Sequence, residues 1–229
     1  FYDPKVGLVT CLYRASRAKT LGGLLEALGI SAEFLPGVCA ALHLEGLRFA
    51  LGATIAIRRD VLEQIGGFKG IADYLGDDYL LGKLTAEAGH RLDFCDCIVE
   101  TVLPDYRLRD FFSHQMRWAR NLRCSRPAGY AGMLVTHTTV FALLGPLLYP
   151  ASLPLLLASS VALTLRFYSA WRVGVGRLRD PNLFHHFALV PARDLVWFVV
   201  WLLSFFGNTV VWRGQRFRVT KGGRLIPAS

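Results

Sequence analysis

Two adjacent carboxylates, Asp77 and Asp78, stand in the stretch Leu75-Gly76-Asp77-Asp78-Tyr79 at a loop-to-helix junction. Acidic residues at a helix N-terminus are stabilised by the dipole and by capping, which alone accounts for an Asp-Asp pair. The pair also has a chemical use. Neighbouring like charges raise one pKa and equip one carboxylate to accept a proton as a general base. A second group is His114-Gln115-Met116-Arg117-Trp118, on an amphipathic stretch just ahead of a long apolar run. An interfacial helix would set its arginines against lipid headgroups and its Trp at the boundary. A binding helix would instead offer the rigid, permanently charged fork of Arg117 to a diphosphate. Cys95-Asp96-Cys97 has no second Cys/His pair at zinc spacing and reads as strand decoration.

The elements that must position these groups alternate between strand and helix. Lys5–Tyr13 is a continuous apolar run of the kind buried on both faces of a sheet. Thr20–Leu28 reads as helix, followed by a looser apolar stretch to Leu44. Gly52–Ile57 is a short strand. Asp60-Val61-Leu62-Glu63 looks like a capping box, with Gly66-Gly67 closing that short helix. Asp77–Ala88 is a second helix with Gly89 past its end, and Arg91–Leu103 is strand-like. Residues 107–123 form a third helix, with Phe111, Gln115, Trp118 and Leu122 on one stripe and Arg107, Asp110, His114, Arg117 and Asn121 on another. This alternation predicts an α/β layer fold for residues 1–130.

The remainder is different in kind. Residues 1–130 hold 16 Lys+Arg against 15 Asp+Glu, whereas residues 131–229 hold 10 against 2. Positive charge confined to one end argues against a nucleic-acid binder, and a hydrophobic share of 53% argues against a disordered chain. No Asp, Glu, Lys or Arg occurs from Met133 to Leu165. As one helix that run would measure about 50 Å, too long for a hydrocarbon core of roughly 30 Å. Pro146, Pro150 and Pro154 interrupt it, so the expectation is a membrane hairpin over about 131–172 turning near Tyr149-Pro150. A second apolar block, 195–212, is about the minimum for one span, with Trp197, Trp201 and Trp212 as interfacial anchors. Arg166, Arg172, Arg177 and Arg179 follow the hairpin, which places that loop and residues 1–130 in the cytosol. The basic tail (Arg213, Arg216, Arg218, Lys221, Arg224) points to the same side, so block 195–212 is either re-entrant or an exception to the charge rule. Arg193-Asp194 is either a charge pair flanking that block, the preferred reading, or a functional pair. On the cytosolic side the five cysteines, all before residue 130, are expected to be reduced.

Taken in order, VGLVTCLYRA, FALGATIAIRRDVLEQIGGF, ADYLGDDYLLGKLTAEAGHRL, HQMRWARNLR and VVWRGQRFRV resemble the C-terminal half of a ceramide glucosyltransferase-type enzyme, the hopanoid-associated bacterial branch included. The resemblance implies the C-terminal half of a GT-A-like nucleotide-sugar domain followed by transmembrane α-helices. It makes Asp78 the catalytic base and gives Arg117 and Trp118 the diphosphate and acceptor. Asp77, His114, Gln115 and Gly52 complete the implied substrate site. His114 stands where the family motif has Gln or Arg, and Gly52 lies in the acceptor-side turn, serving either acceptor room or packing. The implied reaction is inverting transfer of a hexose from a UDP-sugar to a lipid hydroxyl at the bacterial inner membrane. The family's Asp-x-Asp ligands for Mg²⁺ or Mn²⁺ fall ahead of the VGLVTCLY strand, so this chain is expected to be a fragment, inactive alone, that lacks them. The rival readings are a processive polysaccharide synthase, which needs more spans, and a non-catalytic membrane scaffold.

Overall fold

The computed structural model describes residues 3–212 and 214–228; Phe1, Tyr2, Ser229 and Arg213 of the basic tail lie outside them. The apolar run becomes the central strand β1, Val6–Ala15. Next come α1 (Leu21–Gly29), a π-helical turn (Ile30–Phe34) and α2 (Leu35–Glu45). Together these make one apolar helix, Leu21–Glu45, where a helix and a looser stretch were expected. The π-turn explains the continuity. Pro36 cannot donate to the carbonyl four residues back and would clash with it, and the wider turn just before it, closed by Leu35 N to Ile30 O, relieves that clash. Thr20 caps the start, its hydroxyl accepting from Gly23 N at 3.1 Å.

β2 (Ile55–Ile57) is followed by α3 (Arg59–Gln64), α4 (Asp77–Glu87) and β3 (Arg91–Thr101). The expected capping box does not form. Arg58 takes the N-cap position without a side-chain cap, and Asp60 sits two residues too far in, where it can only complement the dipole. The sheet order is β2-β1-β3, with β2 antiparallel and β3 parallel to β1. One core, around Tyr13, Ala27, Leu35 and Leu51, lies between this sheet and the long helix. Another, around Leu8, Ile71, Leu81 and Leu92, lies under α4.

α5 (Leu108–Ser125) buries Phe111, Gln115 and Ala119. The buried line therefore passes through Ala119 rather than Trp118, which stays 41% exposed at the helix edge. Two short helices follow, α6 (Pro127–Gly132) and, after a bend of 49°, α7 (Thr138–Leu148). α8 (Leu153–Ala170) returns against α7, so the turn falls where the prolines predicted it. Leu147, Leu148, Leu153, Leu157, Val161 and Leu165 all point outward from this hairpin. Among the described residues three helical stretches are long and apolar enough to cross a membrane, Leu21–Glu45, Leu153–Arg177 and Phe187–Ser204, and the bent pair Pro127–Thr136 and Thr138–Leu148 makes a fourth if it is one span.

α9 (Pro181–His185) leads to α10 (Val190–Ser204). Block 195–212 is thus not one span. Gly207, at φ +85°, takes the chain out of the helix, and the β-branched residues after Asn208 form β4 (Thr209–Trp212). β4 pairs with β5 (Gln215–Val219), which pairs with β6 (Leu225–Pro227), so the basic tail is a small antiparallel sheet. Arg193 and Asp194 are not a mutual pair either. Arg193 reaches across to Leu25 O, Gln115 Oε1 and Glu33, while Asp194 takes Arg166 at 2.6 Å and Thr139. Consecutive helix positions point about 100° apart, which separates the two partners.

Candidate active site

Asp78 enters its position through two close approaches. A Cβ on Gly82 would collide with the backbone of Phe49 and Ala50, so this glycine lets α4 press against the segment leading to Gly52. Thr10, fully buried in β1, fastens the same segment: its hydroxyl accepts from Leu51 N at 2.9 Å and lies 3.1 Å from both Leu51 O and Thr54 O. Gly52 then abuts the carboxylate, and a Cβ there would lie 2.8 Å from Asp78 Oδ2. Packing against Asp78 is therefore a reason for glycine at position 52. Gly52→Ala is expected to cut turnover at least tenfold through a displaced carboxylate, with little change in Tm because the position is exposed; turnover and melting of the complete enzyme check this.

Tyr79 N donates to Asp78 Oδ1 at 2.7 Å, and the Gly52 N–H also serves the carboxylate. Burial nonetheless wins and holds the Asp78 pKa above the ordinary carboxylate range, with the Asp77 charge adding to the rise. Asp77 is exposed, and its Oδ1 accepts from Asp78 N at 3.0 Å. The two carboxylates border a hollow of about 220 Å³ whose remaining lining is Gly52, Ile55, Ile57, Phe68, Ile71 and Leu81. A larger cleft of about 490 Å³ lies on another face of α4, but its acids are already paired, Glu45 with Arg126 at 2.6 Å and Glu87 with Lys83 at 3.8 Å. The smaller hollow, with an ionisable group desolvated at its rim, is the better candidate for chemistry.

The loop carrying Asp77 is held from outside by elements that the sequence did not connect to it. Leu75 N donates to Gly223 O, Leu225 N donates to Asp73 O, and Arg224 pairs with Asp73 at 3.2 Å. Gly76 leaves no room for a Cβ beside Asn121 of α5. The basic tail is therefore a strap over the acidic loop rather than a free cationic end.

On α5 the five motif residues divide. Gln115 is buried, donating to Glu26 at 2.7 Å and accepting from Arg193 at 2.7 Å, so its amide locks α5 to α1 and α10. His114 stacks on Tyr106, with ring centroids 5.6 Å apart, and its Nδ1 lies 3.3 Å from Glu26. His114 also neighbours Trp118, which meets Phe34 edge-on at 5.4 Å, and Phe34 neighbours Tyr13 at 5.9 Å. An aromatic wall thus runs from Tyr106 to Tyr13. Burial raises the Tyr13 pKa, and the charges of Asp78 and Glu26 raise it further, which ties this end of the wall to the catalytic candidate. Arg117 is half-buried, its pKa lowered by desolvation and partly restored by Tyr106 and Glu26. No described residue hydrogen-bonds or ion-pairs with its guanidinium. Arg120 and Arg123, by contrast, donate to the carbonyls of Phe206 and Gly207 at 3.0 Å, terminating α10.

Sequence reading missed Thr10, Gly82 and the aromatic partners Tyr106, Phe34 and Tyr13. Thr10 had a signal, being a hydroxyl inside an otherwise apolar strand. It missed the thiols too: Cys95 and Cys97 meet Cys11 of β1, which no local spacing reveals.

The described residues thus set a desolvated carboxylate at a helix start beside an apolar hollow, and on α5 a half-buried guanidinium that none of them engages. Residues 1–225 match the model of glycosyl transferase family 21, and the chain belongs to that family. It is a glycosyltransferase.

Proposed function

We propose that this chain belongs to an inverting enzyme with a GT-A-like domain and a membrane region, moving glucose or N-acetylglucosamine from a UDP-sugar to a ceramide- or hopanoid-type lipid hydroxyl. Asp78 takes the hydroxyl proton, the oxygen attacks the anomeric carbon, and the bond from that carbon to the diphosphate breaks with inversion. Arg117 neutralises charge building on the diphosphate, and Trp118 with His114 flanks the reacting groups. The observation that carries the reading is the Asp78 carboxylate, desolvated and set at the rim of an apolar hollow rather than in open solvent. A lipid hydroxyl needs such a base and such walls.

The chain's own residues do not fit an Mg²⁺ or Mn²⁺ site at this position. Asp77 and Asp78 each already accept a backbone N–H, and no third acid or imidazole joins them among the described residues.

The protein belongs, in this reading, to the bacterial inner membrane with its catalytic layer in the cytosol. The outward apolar face of the hairpin suits lipid, and Leu153–Arg177 is only 11% buried. Arg14 of β1 donates to the carbonyls of Leu178 and Arg179 at 2.8 and 2.7 Å, which keeps the Arg-rich loop beside the catalytic layer. The helical stretch Phe187–Ser204 is about 27 Å long, near the lower limit for crossing a core of roughly 30 Å. It is tethered to that layer at both ends, through Arg193 and through Arg120. The two tethers support an interfacial α10, which would leave the basic tail on the side its charge indicates.

Membranes from cells expressing the complete gene, incubated with radiolabelled UDP-glucose or UDP-N-acetylglucosamine, are expected to yield a lipid carrying one hexose on thin-layer chromatography. A high-molecular-weight product would instead indicate a processive synthase. No labelled product from either donor, in membranes that contain the protein, would remove the proposal.

A further inference from the structure

Cys95 and Cys97 belong to β3, which pairs in parallel with β1. The register runs Thr10 with Phe94 and Cys11 with Cys95, then jumps to Leu12 with Ile98, leaving Asp96 and Cys97 as a bulge. In an unbroken strand, residues two apart stand about 7 Å from each other. The bulge folds that spacing up. Cys95 Sγ and Cys97 Sγ come to 2.9 Å, and Cys97 Sγ reaches Cys11 Sγ at 3.7 Å. All three sulfurs lie within 4.8 Å of one another, Cys11 buried, Cys95 half-buried and Cys97 exposed, so the group opens toward solvent on one side. Among the described residues no fourth His, Cys, Asp or Glu joins them.

We propose that Cys11, Cys95 and Cys97 form a three-thiolate site for a soft cation of the zinc class, stapling β3 to β1, with water in the fourth position. Zinc–thiolate bonds are about 2.3 Å, which sets a tetrahedral sulfur–sulfur edge of about 3.8 Å. The Cys11–Cys97 separation already matches that edge, and the Cys95–Cys97 contact has less than an ångström to open. Three S–H bonds give way to three S–metal bonds, each ligand losing its proton to solvent as it binds, and no electron is transferred. Thiolates select soft, thiophilic ions over Mg²⁺, which prefers oxygen, so this site does not duplicate a divalent requirement of sugar transfer. Its place in the fold gives it a structural task. Cys11 adjoins Thr10, the residue that fastens the Gly52 segment, so a staple here steadies the strand behind Asp78. The inference stands on the thiol geometry and is independent of the proposed substrate.

Cadmium is the probe. The complete, detergent-solubilised protein, reduced with a phosphine and stripped with chelator, is titrated with Cd²⁺ while the ultraviolet sulfur-to-cadmium charge-transfer band is read. One Cd²⁺ per chain is expected, with competition by Zn²⁺ and a Tm raised by either ion. Cys97→Ser, at an exposed position, is expected to weaken binding at least tenfold and to abolish the rise in Tm. Cys39→Ser and Cys124→Ser, outside the cluster, are expected to bind like wild type. No band in the folded wild type overturns the proposal. An unchanged band in Cys97→Ser overturns it as well, as does a Cys11–Cys97 or Cys95–Cys97 disulfide that persists in a glutathione buffer at cytosolic poise.

Discussion

Asp78→Asn is expected to cut sugar transfer by about 10²–10⁴-fold in the complete enzyme, the range a positioned general base supplies, while the protein stays folded. The amide nearly matches the carboxylate in shape, so the close contact with Gly52 survives. At least one of the backbone N–H donors, which come from Tyr79, Gly52 and Asp78 itself, loses an acceptor, which costs about 1 kcal/mol of stability and does not unfold the domain. pH supplies a second readout. Burial raises the Asp78 pKa, and only the ionised form can take a proton. The wild-type rate therefore falls as pH drops through that raised value, and the residual rate of the Asn variant lacks this limb. Asp77→Asn is expected to do less, because Asp77 is exposed and acts on Asp78 through one backbone hydrogen bond and its charge. Retention of more than half the wild-type activity by Asp78→Asn, or the reverse order of the two variants, would move the base elsewhere.

Much of the positioning machinery was legible because it rests on local patterns. The apolar run at β1, the Asp-Asp start of α4, the strand after Gly89 and the hairpin turn among three prolines each follow from residue types a few positions apart. What escaped depends on partners distant in sequence. The long helix Leu21–Glu45 reads in sequence as a helix and a looser apolar stretch, because the π-turn that carries it past Pro36 has no local signature. The aromatic character of block 195–212 masked a strand whose partner, β5, lies just beyond a turn and whose packing comes from α5 and the acidic loop. Gln115 sat in the right motif, yet its amide is filled by Glu26 and Arg193, from residues 89 and 78 positions away. Cys95 and Cys97 lacked a partner by spacing and found one across the sheet. Sequence periodicity marks which side is buried; it does not say which buried polar groups meet.

Arg117→Lys is expected to impair transfer nearly as badly as Arg117→Ala, each by about 10²-fold, the scale of removing one aligned donor from developing charge. Arg120 and Arg123, on the same helix, are held by the carbonyls that end α10 and cannot serve a ligand without releasing them. Arg117 is the contrasting case, half-buried beside Tyr106 and Glu26 with its fork unengaged by any described residue. A cation drawn merely to a lipid surface could be Lys, since either side chain presents one positive charge to the headgroups. A diphosphate gripped by two parallel N–H···O bonds needs the planar fork, which an ammonium lacks. Desolvation sharpens the difference, because it already opposes the charge at this site and weighs more on the strongly hydrated ammonium of Lys. Turnover of both variants in the same membranes separates the two roles, with melting temperature checked so that lost packing is not read as lost chemistry. A Lys variant close to wild type, alongside a damaged Ala variant, would return α5 to a headgroup-binding role and leave Asp78 as the sole reacting side chain on this chain.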